Sequence, residues 1–314
     1  MTQTALDKPA KLRIGTRGSK LALWQAHHVR DRLQALGYQV EIEIIQTQGD
    51  RIDHLPFSKM EGKGFFTKEL EQAQLDGRVD IAVHSMKDLT TELPPGLFIG
   101  AMIGRADPRD LLLANESAVD PQALKRGDLV PLLADSRVGT SSARRQTQLR
   151  AFSPQLDVRE LRGNVPTRLR KLREGPYDAI LLAKAGVDRL DLKLDGLLVR
   201  PLDPSIFVPA PAQGMLAVQC RDEPELRAIL ARIHDAQAAR AVLAERELLA
   251  RLEGGCQLPF GCHVVGLDDD RYALSLFLSQ AEQPLQLRLE GEAPERLVEL
   301  AWSEITHNRI GNHG

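Results

Sequence analysis

Val79-Asp80-Ile81-Ala82-Val83-His84-Ser85-Met86-Lys87-Asp88 is the stretch that decides how this chain folds. Its centre, Ile81 to Val83, is apolar at consecutive positions, without the in–out alternation of a half-exposed strand. Such a run predicts a strand buried on both faces, as in a parallel sheet with helices on either side. The polar residues come at its end, so the strand hands a cation and a carboxylate to the rim of a sheet. In open α/β sheets ligands collect at the carboxyl ends of the strands.

Upstream, Leu12-Arg13-Ile14-Gly15 predicts a second buried strand, followed by Thr16-Arg17-Gly18-Ser19. A helix is predicted from about Leu21 to Leu36, with Ala22, Ala26, Val29, Leu33 and Leu36 on one face and Gly37 stopping it. Val40 to Ile45 reads as the next strand. The polar stretch Asp50 to Gly64, with Lys59 and Lys63, is long enough to be functional or mobile. Phe65 to Leu75 reads as helix. Downstream, Leu97 to Ile103 predicts a strand leading to Arg105-Ala106-Asp107-Pro108-Arg109, a polar, proline-bearing crossing between domains.

The pattern then repeats in outline. Arg137-Val138-Gly139-Thr140 echoes Arg13-Ile14-Gly15-Thr16 and runs into Ser141-Ser142-Ala143-Arg144-Arg145, again strand, turn and helix. Val158 to Leu161 is a strand ending at Arg162-Gly163-Asn164. Asn164 is a helix cap and Pro166 an early helical residue, with Arg168 in the first turns. Ala179 to Ala183 is a buried strand running into Gly186 and Arg189. The proline-rich Pro201 to Pro211 brings the chain back to the first lobe, where Met215 to Cys220 adds a strand. Strands alternating with helices predict two parallel α/β lobes of similar build.

A third unit opens with a helix from Ala236 to Leu252, ended by Gly254 and Gly255, which tolerate left-handed backbone; Pro259 prevents its resumption. Cys256 therefore sits on a tight loop, where a thiolate can act as a nucleophile. On this loop alone, a small buried side chain is the commoner role for a cysteine. Cys262 lies close enough for a redox couple or half a metal site, but no second Cys/His pair with zinc spacing follows. His263 to Leu267, Tyr272 to Leu278 and Leu285 to Leu289 predict three antiparallel strands, covered by a helix from about Pro294 to Ile305.

The 314 residues are enough for two or three domains, and 43% hydrophobic content is enough for their cores. Three cysteines make no disulfide framework. Met1 to Lys11 lacks the apolar core of a signal peptide, and no apolar run approaches the roughly 20 residues of a membrane span. The expectation is a cytoplasmic protein with no membrane partner. A net charge of −2 offers no global attraction to nucleic acid.

The cations are instead placed locally, at strand ends: Arg17, Lys87, Arg144, Arg145, Arg162 and Arg189. Each alone reads as a solvated or salt-bridging side chain. Together with helix N-termini they suit a ligand with several carboxylates, lying between two lobes. Nothing here matches the phosphate-binding Gly-x-x-x-x-Gly-Lys-Ser/Thr loop, which Glu61-Gly62-Lys63-Gly64-Phe65 fails, nor does Gly-x-Gly-x-x-Gly follow a strand. Asp88 is the carboxylate that follows a buried strand among these cations. It could move protons or stabilise a cation on the substrate, or simply pair with Lys87 or cap a helix. His84 could be a base for Cys256 in a hydrolase, but its place within a strand favours a packed, hydrogen-bonded histidine.

At this point the residues resemble a known family, the porphobilinogen deaminases, also called hydroxymethylbilane synthases. The resemblance rests on Ile14-Gly15-Thr16-Arg17-Gly18-Ser19 with Leu21-Ala22-Leu23-Trp24-Gln25, Gly62-Lys63-Gly64-Phe65-Phe66, and Asp80 to Asp88. It continues through Val138 to Gln146, Leu161-Arg162-Gly163-Asn164-Val165, Pro211-Ala212-Gln213-Gly214 and Glu253-Gly254-Gly255-Cys256.

What the resemblance implies is a monomeric three-domain transferase of porphyrin and heme biosynthesis. Two periplasmic-binding-protein-like (type II) lobes, 8–104 with 212–232 and 109–205, are followed by a small C-terminal α+β domain, 236–314, with a three-stranded antiparallel sheet. The implied reaction condenses four porphobilinogen molecules into the linear tetrapyrrole hydroxymethylbilane and releases ammonia. A dipyrromethane cofactor is implied to hang from Cys256 by a thioether. Asp88 takes the place of the catalytic aspartate. Ser19, Lys87, Asp88, Thr140, Ser141, Ser142, Arg144, Arg145 and Gly163 take cofactor-binding places. Arg17, Ser19, Arg162, Arg168 and Arg189 take substrate-binding places, and Lys59 and Lys63 belong to a mobile loop; no metal is implied. A two-lobed anion-binding protein without catalysis is the other reading of the same fold. The chain departs from the family at Pro166, where a small residue is expected, at the extra cation Lys184, and in the length of Lys125 to Arg137.

Overall fold

A computed structural model describes residues 11–47, 67–253, 258–268, 270–279 and 284–311. Ile81–Ser85 is strand β3. Its partners are β1 (Leu12–Thr16), β2 (Val40–Ile44), β4 (Leu97–Ile103) and β10 (Leu216–Arg221), in the order β2-β1-β3-β10-β4. β1 runs parallel to β2 and β3, whereas β10 is antiparallel to both β3 and β4.

The unbroken apolar centre of β3 has the predicted cause. Ile81 and Val83 pack into one cluster with α1 (Lys20–Ala35) and α7 (Pro224–Ala231), through Ala26, Val29, Leu33, Leu226 and Leu230. Ala82, between them, packs on the opposite face with Leu70 and Ala73 of α2 (Lys68–Leu75). Both faces are covered, so the centre of the strand is apolar, and the one polar side chain buried in it, His84, is met by Gln219 of β10.

The second sheet repeats this order. β5 (Asp110–Asn115), β6 (Arg137–Gly139), β7 (Asp157–Arg159), β8 (Ala179–Ala183) and β9 (Leu197–Pro201) lie as β7-β6-β8-β5-β9. β6 is parallel to β7 and β8, and β5 is antiparallel to β8 and β9. In each sheet the antiparallel strand is formed just after the chain has crossed: β5 follows the outward crossing and β10 the return. Ala179 and Leu181 of β8 face α4 (Ala143–Phe152), while Ile180 and Leu182 face α5 (Val165–Glu174) and α6 (Lys184–Arg189).

Between α3 (Pro121–Arg126) and β6, the stretch whose length departs from the family is anchored to the second sheet. Val130 and Leu132 are buried in the core of the second sheet, and Val119 bridges to Leu132.

α8 (Ala236–Arg251) leads to the third sheet, β11 (Phe260–Gly266), β12 (Tyr272–Leu278) and β13 (Leu285–Gly291), antiparallel throughout and covered by α9 (Pro294–Gly311). Glu253, after α8, is left-handed, with φ 51°; Gly254 and Gly255, the glycines expected to end the helix, lie outside the described residues.

Contacts divide the described residues into two units. The first holds everything up to Gly104 together with Met215–Ala236; the second holds Arg105–Gly214 and Gln237 onward. The third sheet thus groups with the second, joined through Glu245. That carboxylate is fully buried on α8, and it accepts hydrogen bonds from Arg105 Nη1 (2.7 Å) and Nη2 (3.0 Å), Ala212 N (2.7 Å) and Val264 N (2.7 Å).

Candidate active site

In the first unit, pairing of Gly15 with Ala82 brings the ends of β1 and β3 to the same sheet edge. Thr16, fully buried, donates its hydroxyl to Ala22 O at 3.1 Å and so fastens the start of α1. Ser19 is the cap of that helix, its Oγ accepting Ala22 N at 3.2 Å. Arg17 lies between them, half-buried.

At the end of β3 the chain turns through a single 3₁₀ turn, Met86–Asp88. Met86 is the buried anchor and its N–H donates to Met215 O at 3.0 Å. Lys87 is half-buried, and Asp88 is exposed, with no hydrogen bond or ion pair among the described residues. The two structural roles open to Asp88, cap and partner of Lys87, are therefore both unused. A carboxylate held on a short turn beside cations, with its oxygens uncommitted, is poised for a ligand.

His84 points away from such a role. It is buried, its Nε2 lies 3.2 Å from Gln219 Oε1, and burial pushes its pKa down to about 4. A neutral imidazole fixed on an amide inside the sheet is the packed histidine the strand position predicts.

In the second unit, β6 delivers Thr140, fully buried, whose Oγ1 accepts Ser142 N at 3.3 Å and whose carbonyl accepts Gln146 Nε2 at 2.9 Å. Ser142 caps α4, and the Ser141 hydroxyl donates to Leu161 O. Arg144 and Arg145 are 4% and 5% exposed, and both guanidiniums bond Asp110. Burial works to raise the Asp110 carboxyl, but the two positive charges and their hydrogen bonds hold it well below the usual carboxylate range.

Gly163 has φ 112°, and a Cβ there would meet Thr167 Cγ2 at 2.7 Å. Its carbonyl accepts Arg168 Nε at 2.7 Å, so this glycine serves by orienting an arginine. Asn164 caps α5 through Thr167 N at 3.0 Å, with Pro166 in the first turn. Arg189 donates to Gly214 O at 2.5 Å; burial lowers its pKa to about 10, which leaves it cationic at neutral pH. Lys184, the extra cation, is spent on Asp188 at 2.6 Å.

Cys256, Lys59 and Lys63 lie outside the described residues. The other two thiols are inert by position. Cys220 is buried on β10, with burial raising its pKa to about 11, and Cys262 is buried on β11, where burial raises its pKa well above the ordinary thiol value. Sequence reasoning missed Asp110, Gln25 and Glu245.

Each unit thus carries hydroxyls, capped helix N-termini and cations at the carboxyl edge of its parallel strands, the arrangement of an α/β protein that binds an anionic ligand. Residues 12–228 match the family described as porphobilinogen deaminase, dipyromethane cofactor binding domain, and residues 239–296 match the porphobilinogen deaminase C-terminal domain. The chain belongs to the porphobilinogen deaminase family.

A protein of that name from Nitratidesulfovibrio vulgaris is 45% identical over 297 residues, covering 92% of this chain and 91% of its own. Another, from Roseiflexus sp., is 48% identical over 251 residues, 79% of each chain. Among solved structures, a periplasmic substrate-binding protein of an ABC transporter from Coxiella burnetii aligns with a TM-score of 0.42 at 13% identity. That alignment covers 74% of this chain and 96% of the other, and it is too distant to bear on function.

Proposed function

We infer that this chain is a transferase of porphyrin and heme biosynthesis that joins four porphobilinogen molecules head to tail into hydroxymethylbilane, releasing one ammonia at each addition. The observation that carries this reading is the family match across both parts of the chain. The uncommitted carboxylate of Asp88 is the feature of the structure that fits it best.

The family's cofactor is a dipyrromethane, which bears carboxylates. The residues fit such a group on one observation. Arg144 Nε is a buried donor without a hydrogen-bond partner among the described residues, within a cluster of two guanidiniums and one carboxylate. When bound, the dipyrromethane supplies the pyrrole carbon to which the first substrate is joined, and a tether that makes each addition locally unimolecular.

Cys256 is the proposed attachment point, by a thioether. Ser19, Lys87, Thr140, Ser141, Ser142, Arg144, Arg145 and Gly163 are proposed to hold cofactor carboxylates. Arg17, Ser19, Arg162, Arg168 and Arg189 are proposed to receive those of the substrate. Asp88 has the chemical work. Its negative charge favours the cation left on the substrate carbon as ammonia departs, and the positive charge shared with the pyrrole nitrogen during coupling. Lys59 and Lys63 are proposed to lie on a mobile loop that shields these steps from water.

Organisation into three domains, 8–104 with 212–232, 109–205 and 236–314, belongs to the same proposal, as do a monomeric state and a cytoplasmic location without membrane or nucleic-acid partners. Among the described residues no helix is long and apolar enough to cross a membrane. Incubation with porphobilinogen tests the reading. Release of one ammonia per substrate consumed, with a linear tetrapyrrole as product, is expected; binding of porphobilinogen without ammonia release would leave only an anion-binding protein.

A further inference from the structure

Asp110 opens β5 with its side chain fully buried. Its Oδ2 accepts from Arg144 Nη1 at 2.7 Å, and its Oδ1 accepts from Arg145 Nε and Nη2 at 3.1 and 2.7 Å. From the returning segment, Gln213 Nε2 reaches the same Oδ1 at 2.9 Å and also donates to Pro108 O at 2.7 Å. Arg144 Nη1 also donates to Val208 O at 2.7 Å, and Arg145 Nη1 donates to Leu181 O at 3.0 Å. Each guanidinium is therefore held by a side chain and a carbonyl at once, Arg144 through Nη1 and Arg145 through all three nitrogens.

The charges do not balance. Two guanidiniums face one carboxylate, so the cluster holds one positive charge in surplus where burial makes an unpaired charge costly. It also holds a buried donor without a hydrogen-bond partner among the described residues, Arg144 Nε. Both deficits have the same remedy, an anionic oxygen from outside the cluster. Had the acid been absent, two adjacent buried cations would repel each other and turn apart; with two acids, nothing would remain for a ligand.

We propose that Asp110 is a positioning residue for cofactor capture: it fixes Arg144 and Arg145 in one array and leaves one positive charge in surplus and the buried Arg144 Nε donor for a carboxylate of the dipyrromethane. Gln213 supports it by holding Oδ1 from the other crossing segment. The inference rests on reading Arg144 as a cofactor contact, and the experiment separates the two.

The full-length Asp110→Asn, Arg144→Leu and double variants are purified, checked for folding by circular dichroism and thermal melting, and weighed intact. The readout is the ratio of chain carrying a two-pyrrole adduct to bare chain. Each single variant is expected to lower that ratio at least about tenfold, the loss of one charge-assisted contact. The double is expected to lose less than the product of the two single losses, because Asp110 acts in part through Arg144. Losses that multiply in the double, or a normal ratio in Asp110→Asn, overturn the proposal. A normal ratio in Arg144→Leu instead removes Arg144 from the cofactor site. Should Asp110→Asn not fold, Gln213→Leu decides. It keeps both ion pairs and is expected to lower the ratio about threefold, the equivalent of roughly half a neutral hydrogen bond; an unchanged ratio overturns the proposal.

Discussion

The buried amide of Gln25 donates its Nε2–H to the hydroxyl of Ser85 at 2.8 Å. Gln25 belongs to the helix that Ser19 caps, and Ser85 is the last residue before the turn that carries Lys87 and Asp88. One hydrogen bond thus ties the two polar rims of the first sheet together. Replacing Gln25 by Leu leaves the Ser85 hydroxyl unmet and costs about 1–3 kcal/mol of stability. It should lower turnover by roughly ten- to a hundredfold through displacement of the turn. A thermal melt and a steady-state assay check this, and unchanged turnover in the destabilised variant would show that the turn holds its own place.

Asp88 needs a sharper test, since it is exposed and makes no side-chain hydrogen bond or ion pair among the described residues that its removal would break. Asp88→Ala should fold and melt like the parent and retain porphobilinogen binding, while turnover falls by roughly two to four orders of magnitude. Binding by calorimetry alongside an ammonia-release assay separates these. Full turnover would end its assigned role.

The return crossing depends on one glycine. Gly214 has φ 92°, and a Cβ there would lie 2.3 Å from Ala106 O, an atom of backbone that cannot swing aside. Gly214→Ala combines left-handed strain with overpacking, about 2–5 kcal/mol together. It would also disturb the carbonyl that receives Arg189. Gly127, with φ 82° and nothing within 4 Å of its Cβ position, is the control. Gly127→Ala should cost only about 1–2 kcal/mol. Chemical denaturation of both variants measures the gap.

Acid should unfold the protein in two stages. His84 has its pKa lowered from 6.5 to about 4 by burial, so the unfolded chain takes up this proton first. Stability is complete above pH 6.5 and declines as the pH falls from there to 4, by about 3 kcal/mol for this group. Asp110, held below the ordinary carboxylate range, loses its contribution only below about pH 4, as it protonates. Denaturation midpoints from pH 7 to 4 should show the first decline, and His84→Gln should flatten it. A slope the variant leaves unchanged would place the titrating group elsewhere.

Much of the fold is legible because burial on two faces leaves a direct trace, as at Ile81-Ala82-Val83 and Ala179 to Ala183, where consecutive apolar residues point to opposite clusters. β5 and β9 are not legible in the same way. Leu111 to Ala114 is a four-residue apolar run, equally suited to strand or helix, and only pairing with β8 and β9 decides it. The site is half legible. Asn164 announces itself as a cap and strand ends locate the arginines, whereas the capping roles of Ser19 and Ser142 emerge only from the structure. What each arginine touches is set by residues far away in the chain: Arg144 and Arg145 meet an acid 34 and 35 positions earlier, and no periodicity records that. The same holds for Glu245 and Arg105, 140 positions apart.

The account stands on a covalent oligopyrrole held at Cys256. Intact-mass measurement of the purified protein, followed by peptide mapping, addresses it directly. The predicted result is a mass exceeding the sum of the amino acids by two pyrrole units, carried on the peptide containing Cys256 and absent from Cys256→Ala. A chain of unmodified mass that still converts porphobilinogen into tetrapyrrole would contradict it.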